Sequence, residues 1–126
     1  MAQVEVTEKK YYVLLACGKS DWYTQAESLD VKQVMKDVDE LGQKALMEKY
    51  FPGYEKETMR PSNPKVWVNG YKVTMKFSDG TDYYCESTDD GRNGLYRDNP
   101  NFEKIFGYKE FDEIFPEIAE EIERIY

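Results

Sequence analysis

The sequence predicts an α+β fold with a mainly antiparallel sheet, and three features carry that prediction. Short alternating apolar runs punctuated by Asn, Asp, Ser and Gly fill residues 11–27 and 65–87, the pattern of strands joined by tight turns. A helical stripe of Val31, Val34, Met35, Val38, Leu41, Ala45 and Leu46 separates these two regions. A second amphipathic stretch over residues 109–126 ends the chain, with Phe111, Phe115, Ile118, Ile122 and Ile125 on one side. Residues 1–126 are read as a single α+β domain: an N-terminal hairpin and a three-stranded meander, a long central helix and a C-terminal amphipathic helix.

Residues 1–9 read as a polar lead-in. Residues 11–17, YYVLLAC, are apolar on both faces and predict a covered or central strand. GKSD supplies turn residues, and residues 22–27 alternate well enough to be the returning strand, although a short helix after Ser20 fits as well. Asp30 with Gln33 three positions on is a helix-capping pattern. The helix it opens runs to Pro52 and Gly53. Gly42 lies inside the apolar stripe, where glycine costs up to about 1 kcal/mol relative to Ala. It predicts a close backbone approach there.

The meander takes shape from its turns. Asn69 and Gly70 between alternating runs predict a two-residue hairpin, with Val68 opposite Tyr71, Trp67 opposite Lys72 and Val66 opposite Val73. The next turn has two candidate registers. A two-residue Asp-Gly loop sets Phe77 against Asp82 and Val73 against Glu86. A three-residue loop of Ser78, Asp79 and Gly80 instead sets Met75 against Tyr83, Val73 against Cys85, Lys76 against Asp82 and Lys72 against Glu86. Opposite charges across strands favour the second, with Gly80 left-handed in a bulge. The buried face is then Val66, Val68, Tyr71, Val73, Met75, Phe77, Tyr83 and Cys85. Residues 88–99 read as a polar loop, Asn99 and Pro100 start a short helix, and Gly107 closes it. Pro116 either kinks the last helix or marks a short turn before a new one.

Apolar residues make up 40% of the chain and aromatics 15%, including eleven Tyr, which is too rich for disorder. The net charge is −8, with no His. Residues 86–126 hold twelve Asp/Glu against five Lys/Arg, whereas residues 1–85 hold thirteen against twelve. Such a balance disfavours direct contact with nucleic acid or an anionic membrane, both of which require clustered Lys/Arg. No apolar run reaches the roughly 20 residues of a membrane span, and the first fifteen residues lack a signal-peptide pattern. Cys17 and Cys85 are expected as reduced, buried thiols of a cytoplasmic protein. Without His, Ser-His-Asp and Cys-His catalysis are excluded within this chain. No phosphate loop, dinucleotide fingerprint or metal cluster is present, so no enzyme activity and no cofactor are expected. Residues 89–94, DDGRNG, resemble part of a calcium loop, but its twelfth position falls on Pro100 and the pattern fails.

Two surfaces stand out as candidates. Glu110, Glu113, Glu117, Glu120 and Glu121 form an acidic stripe that is either a solvated helix face or a surface for a basic partner. Trp67, Lys72, Lys76 and Tyr84 lie on the outer face of the meander, an aromatic and cationic patch unless the N-terminal hairpin or a helix covers it. Arg92 and Arg97 flank the glycine-bearing loop and could contact an anionic partner or ligand. The expected function is a non-enzymatic protein-binding module, an inhibitor that blocks a basic, nucleic-acid-engaging protein. By analogy of charge alone, anti-CRISPR proteins are one such class. The alternatives are a toxin-neutralising immunity protein and a small-ligand binder with an aromatic, sheet-lined pocket. The aromatic outer face would also suit a homodimer.

Overall fold

The computed structural model describes residues 3–19, 22–54, 64–88 and 93–125. The chain runs β1 (Val6–Lys19), β2 (Trp22–Ser28), α1 (Val31–Glu40), α2 (Gln43–Tyr50), β3 (Lys65–Phe77), β4 (Asp82–Thr88), β5 (Asn93–Arg97), α3 (Pro100–Phe106), α4 (Phe111–Ile114), a 3₁₀ turn (Pro116–Ile118) and α5 (Ala119–Ile125). The fold is α+β, with one five-stranded sheet in the order β2-β1-β3-β4-β5. Every neighbouring pair of strands is antiparallel.

Side-chain alternation assigns the two faces. Tyr11, Val13, Leu15 and Cys17 of β1 share the inner face with Val66, Tyr71, Val73, Met75 and Phe77 of β3 and Tyr83 of β4. The helices cover this face with Val31, Val34, Met35, Leu46, Ile114, Phe115 and Ile122. Aromatic rings fill the middle of it. Tyr11 stacks on Tyr71 at 5.6 Å, Phe115 meets Tyr11 edge-on at 5.3 Å, and Tyr83 stacks on Phe102 at 4.2 Å.

The expected hairpin at Asn69 and Gly70 does not form. β3 is one continuous strand, and Leu14 pairs with Gly70 while Leu15 pairs with Val68. Asn69 is therefore an extra residue, a β-bulge facing β1. The physical reason is that an Asn-Gly pair serves either device, since both accept positive φ. The presence of β1 as a neighbour along the whole of β3 selects the bulge. One extra residue also keeps Val68 and Tyr71 on one face, opposite Leu15 and Val13. The predicted pairings of Val68, Trp67 and Val66 with Tyr71, Lys72 and Val73 are thus replaced, although the predicted inner-face residues still point inward.

The following turn matches its prediction. Gly80 has φ of 86° and donates to Phe77 O at 3.0 Å, and the pairs Met75 with Tyr83, Val73 with Cys85, Lys76 with Asp82 and Lys72 with Glu86 are all present. Asn101 of α3 donates to Asp79 Oδ2 at 2.8 Å, which ties the turn to the helical layer.

Five further expectations are corrected, and the alternative at Pro116 is decided. The central helix is two helices, because Leu41 leaves helical geometry (ψ 147°) and Gly42 is extended as the N-cap of α2 (ψ 167°). Nothing lies within 4 Å of a Cβ built on Gly42, so it marks a break rather than a close approach. The lead-in is the start of β1, which begins at Val6, and the polar loop contains β5. The C-terminal helix is interrupted at Pro116 by a 3₁₀ turn, the second of the two outcomes expected there. Cys85 is only half-buried, while Cys17 is fully buried; neither is in a disulfide. Residues 89–92, including the calcium-like motif's acidic pair, lie outside the described residues, as does Arg92.

One buried charge joins the two halves of the split helix. Asp37 on α1 is 6% exposed and accepts from Gln33 Nε2 at 2.8 Å, from Tyr50 OH at 2.5 Å and from the Lys49 ammonium. The Lys49 hydrogen bond, followed by that of Tyr50, lowers its pKa to about 2. Arg124 of α5 pairs with Asp39 on the same helix.

Two predictions follow from the bulge and the Asp37 cluster. Gly70 has φ of 147°, and a Cβ there would overlap Ser87 O and stand 2.9 Å from Thr88 Cα. Gly70→Ala should lose more than about 2 kcal/mol in urea unfolding, whereas Gly42→Ala should stay within about 1 kcal/mol. Equal losses would contradict the bulge assignment. Asp37 has its pKa depressed on folding, so its stabilisation is full above its ordinary carboxylate pKa. As pH falls, the unfolded chain takes up that proton first, and stability declines until the folded carboxylate protonates near 2. Urea titrations of the wild type and of Asp37→Asn between about pH 5 and pH 2 should show a steeper loss for the wild type. Parallel curves would sink this assignment.

Candidate functional site

The outer face of the sheet is not covered by the N-terminal hairpin, because β1 and β2 belong to the same sheet. Among the described residues the helices pack on the inner face. Even so, Leu14 and Ala16 on the outer face are 0% exposed. Gln25 of β2 donates to Glu86 of β4 at 3.4 Å, across β1 and β3. In a flat sheet those strands would stand about 14 Å apart. The sheet is therefore curled toward its outer face, and the bulge at Asn69 supplies the bend.

The curl produces a continuous polar network. Asn69 is 0% exposed; it donates to Gln25 Oε1 at 3.1 Å and accepts from Trp67 Nε1 at 3.2 Å. Tyr23 meets the Trp67 ring edge-on at 5.6 Å. Tyr84 OH donates to Glu86 Oε2 at 2.5 Å; burial first, and then this bond, raise the phenol's pKa. Lys72 pairs with Glu27 and lies over the Tyr12 ring at 4.3 Å. Lys76 pairs with Glu8 at 3.4 Å, and Arg97 Nη1 stands 3.0 Å from both Asp82 oxygens.

Each predicted residue of this face is thus placed, but the predicted patch is not. With no hairpin, Trp67 and Lys72 are five positions apart along one strand, about 15 Å. Lys72 and Lys76 also find partners on β2 and β1, not the Glu86 and Asp82 opposite them. Arg97 lies outward beside Tyr84 and is taken up by Asp82. Sequence reading missed Tyr12, Gln25, Glu27 and Asn69 as members of this face. Asn69 and its neighbours join it only through the bulge, which resembles a hairpin turn in the sequence.

The acidic residues have the opposite character. Glu110, Glu113, Glu117 and Glu120 are exposed and Glu121 is half-buried. They are distributed over α4, the 3₁₀ turn and α5 and the residue before α4, so the single helical stripe becomes a broader acidic surface. Among the described residues none of these five carboxylates hydrogen-bonds or pairs with a cation. Between α4 and α5 lies an open recess of about 340 Å³ lined by Glu110, Phe111, Asp112, Ile122 and Glu123. It combines an apolar floor with three carboxylates. Among the described residues no group of three His, Cys, Asp or Glu is arranged to hold a metal ion, and no helix is long and apolar enough to cross a membrane.

Comparisons with protein-family models, with curated proteins and with solved structures find no match to this chain.

Proposed function

We infer that this chain is a non-enzymatic protein-binding module that meets a basic partner through the acidic surface of α4, the 3₁₀ turn and α5. One contrast carries the reading. Lys72, Lys76 and Arg97 of the curled sheet pair within the molecule, whereas Glu110, Glu113, Glu117 and Glu120 are exposed and meet no cation among the described residues. Charge that is already neutralised does little to steer a partner from a distance, while exposed charge with no counter-ion beside it steers encounter and selects by sign.

The recess between α4 and α5 fits a Lys or Arg side chain. Phe111 and Ile122 would lie against its aliphatic stem, and Glu110, Asp112 and Glu123 would face its charged head. A partner with a basic groove of the kind that holds nucleic acid has the required chemistry. Occupying that groove would exclude the nucleic acid, which is the inhibitory form of the reading.

The triple variant Glu110→Lys, Glu113→Lys and Glu120→Lys tests it. Because these side chains are exposed and meet no cation among the described residues, the variant should keep the wild-type circular dichroism and melting profile. Proteins retained by the immobilised wild type at low salt should be lost from the variant, and lost from the wild type as salt rises. Retention that is indifferent to both the reversal and the salt would reject the acidic-surface reading.

A further inference from the structure

β1 is longer than the strand that flanks it. β2 pairs with β1 from Lys19 back to Val13 and stops at Ser28. On that side residues 6–12 of β1 have no strand beside them among the described residues, although β3 pairs with them on the other side. The direction of the free backbone groups follows from a second edge. Gln43 accepts from Val66 N at 2.6 Å and donates to Val66 O at 3.1 Å. Both groups of Val66 therefore point away from β1, toward the side that β4 leaves uncovered before Gly70. Val66 pairs with Cys17, so the odd-numbered residues of β1 direct their backbone toward β2. Past the end of β2, Lys9 and Tyr11 direct their N–H and C=O groups to an open edge.

The bulge at Thr7 checks this alternation independently. It shifts the pairing between Val6 and Glu8, which reverses the parity below it. Glu5, though odd, accordingly bonds on the β3 side, accepting from Ser78 N at 2.8 Å. The molecule thus plugs the free edge of β3 with the Gln43 amide and leaves that of β1 open. A separate groove of about 600 Å³ lies between residues 3–9 and Lys104, Ile105 and Phe106 of α3, on the helical side of the sheet. Unpaired strand edges of this kind are templates for strand addition.

We propose that the open edge of β1 pairs antiparallel with the same edge of a second copy, forming a two-fold dimer. The end of β2 confines the pairing to residues 6–12, and a two-fold axis that uses this stretch symmetrically passes through Lys9. Glu8 and Lys10 pair with each other within each copy at 2.6 Å, and that register sets Glu8 of each copy opposite Lys10 of the other as well, joining the two pairs into one alternating cluster on the outer face. These are non-hydrogen-bonded positions, where side chains stand closest. Lys9 meets its own copy across the axis, but on the inner face. Its ammonium donates to Ile114 O at 2.5 Å and lies 5.2 Å from the Phe115 ring centre, drawn beneath its own sheet. The dimer uses none of the acidic residues assigned above, so the two readings stand or fall separately.

Sedimentation of the full chain over a concentration series tests the dimer, and charge swaps test its register. The wild type should associate as a dimer. Glu8→Lys alone or Lys10→Glu alone puts two like-charge pairs at the axis and should weaken association about tenfold. The double variant Glu8→Lys with Lys10→Glu should associate more tightly than either single variant, short of the wild type because Lys76 loses its Glu8 partner, with circular dichroism melts confirming that all variants fold. Amide exchange at Lys9 and Tyr11 should slow as the dimer forms. A wild type that stays monomeric at submillimolar concentration would overturn the proposal. So would a dimer insensitive to either single swap, or one that leaves those two amides unprotected.

Discussion

The rest of the structure depends on one extra residue in β3. Leu14 and Leu15 of β1 are consecutive, but their partners Gly70 and Val68 are not, and Asn69 fills the gap. Without the bulge, Val68 and Tyr71 would alternate to opposite faces and one of them would leave the core. With it, β3 bends, and the carbonyl of Ser87 on β4 comes against Gly70 too closely for any side chain there. The Asn69 amide then links Trp67 and Gln25, so the residue that bends the strand also fastens the curl.

That curl decides how charge is presented. A flat sheet would expose Leu14 and Ala16 and leave Lys72 and Tyr84 on an open face. In the curled sheet both apolar residues are buried, Tyr84 bonds to Glu86, and Lys72 pairs with Glu27. Burying Leu14 alone is worth about 2 kcal/mol of apolar transfer, more than an exposed ion pair contributes. The cations of this face therefore serve to close it. Among the described residues Glu113, Glu117, Glu120 and Glu121 of α4, the 3₁₀ turn and α5 meet no cation, and the proposed partner surface lies there.

The legible and illegible parts of the fold divide on a physical ground. The loop of Ser78, Asp79 and Gly80 could be read because two candidate registers placed opposite charges differently, and only one was consistent. The short helix α3 could be read because Asn99, Pro100 and Gly107 each act within one turn of it. The bulge could not, because Asn69 and Gly70 satisfy the local demands of a hairpin equally well, and the deciding neighbour β1 lies more than fifty residues away in sequence. Gly42 was misread for a related reason: a glycine that breaks a helix and one that lets a backbone approach look alike in the sequence. Exposure of Glu110, Glu113, Glu117 and Glu120 followed from helical spacing, whereas the outer-face patch rested on the hairpin and dispersed with it.

The most direct test of this account is proton-proton distance in solution across the curl. Nuclear Overhauser spectra should connect the Gln25 side-chain amide with the side chain of Glu86, and the Trp67 indole N–H with the side chain of Asn69, in the folded chain. The account predicts both sets of cross-peaks. Strong backbone contacts between Val68 and Tyr71 as hairpin partners, with no Gln25 to Glu86 contact, would contradict it.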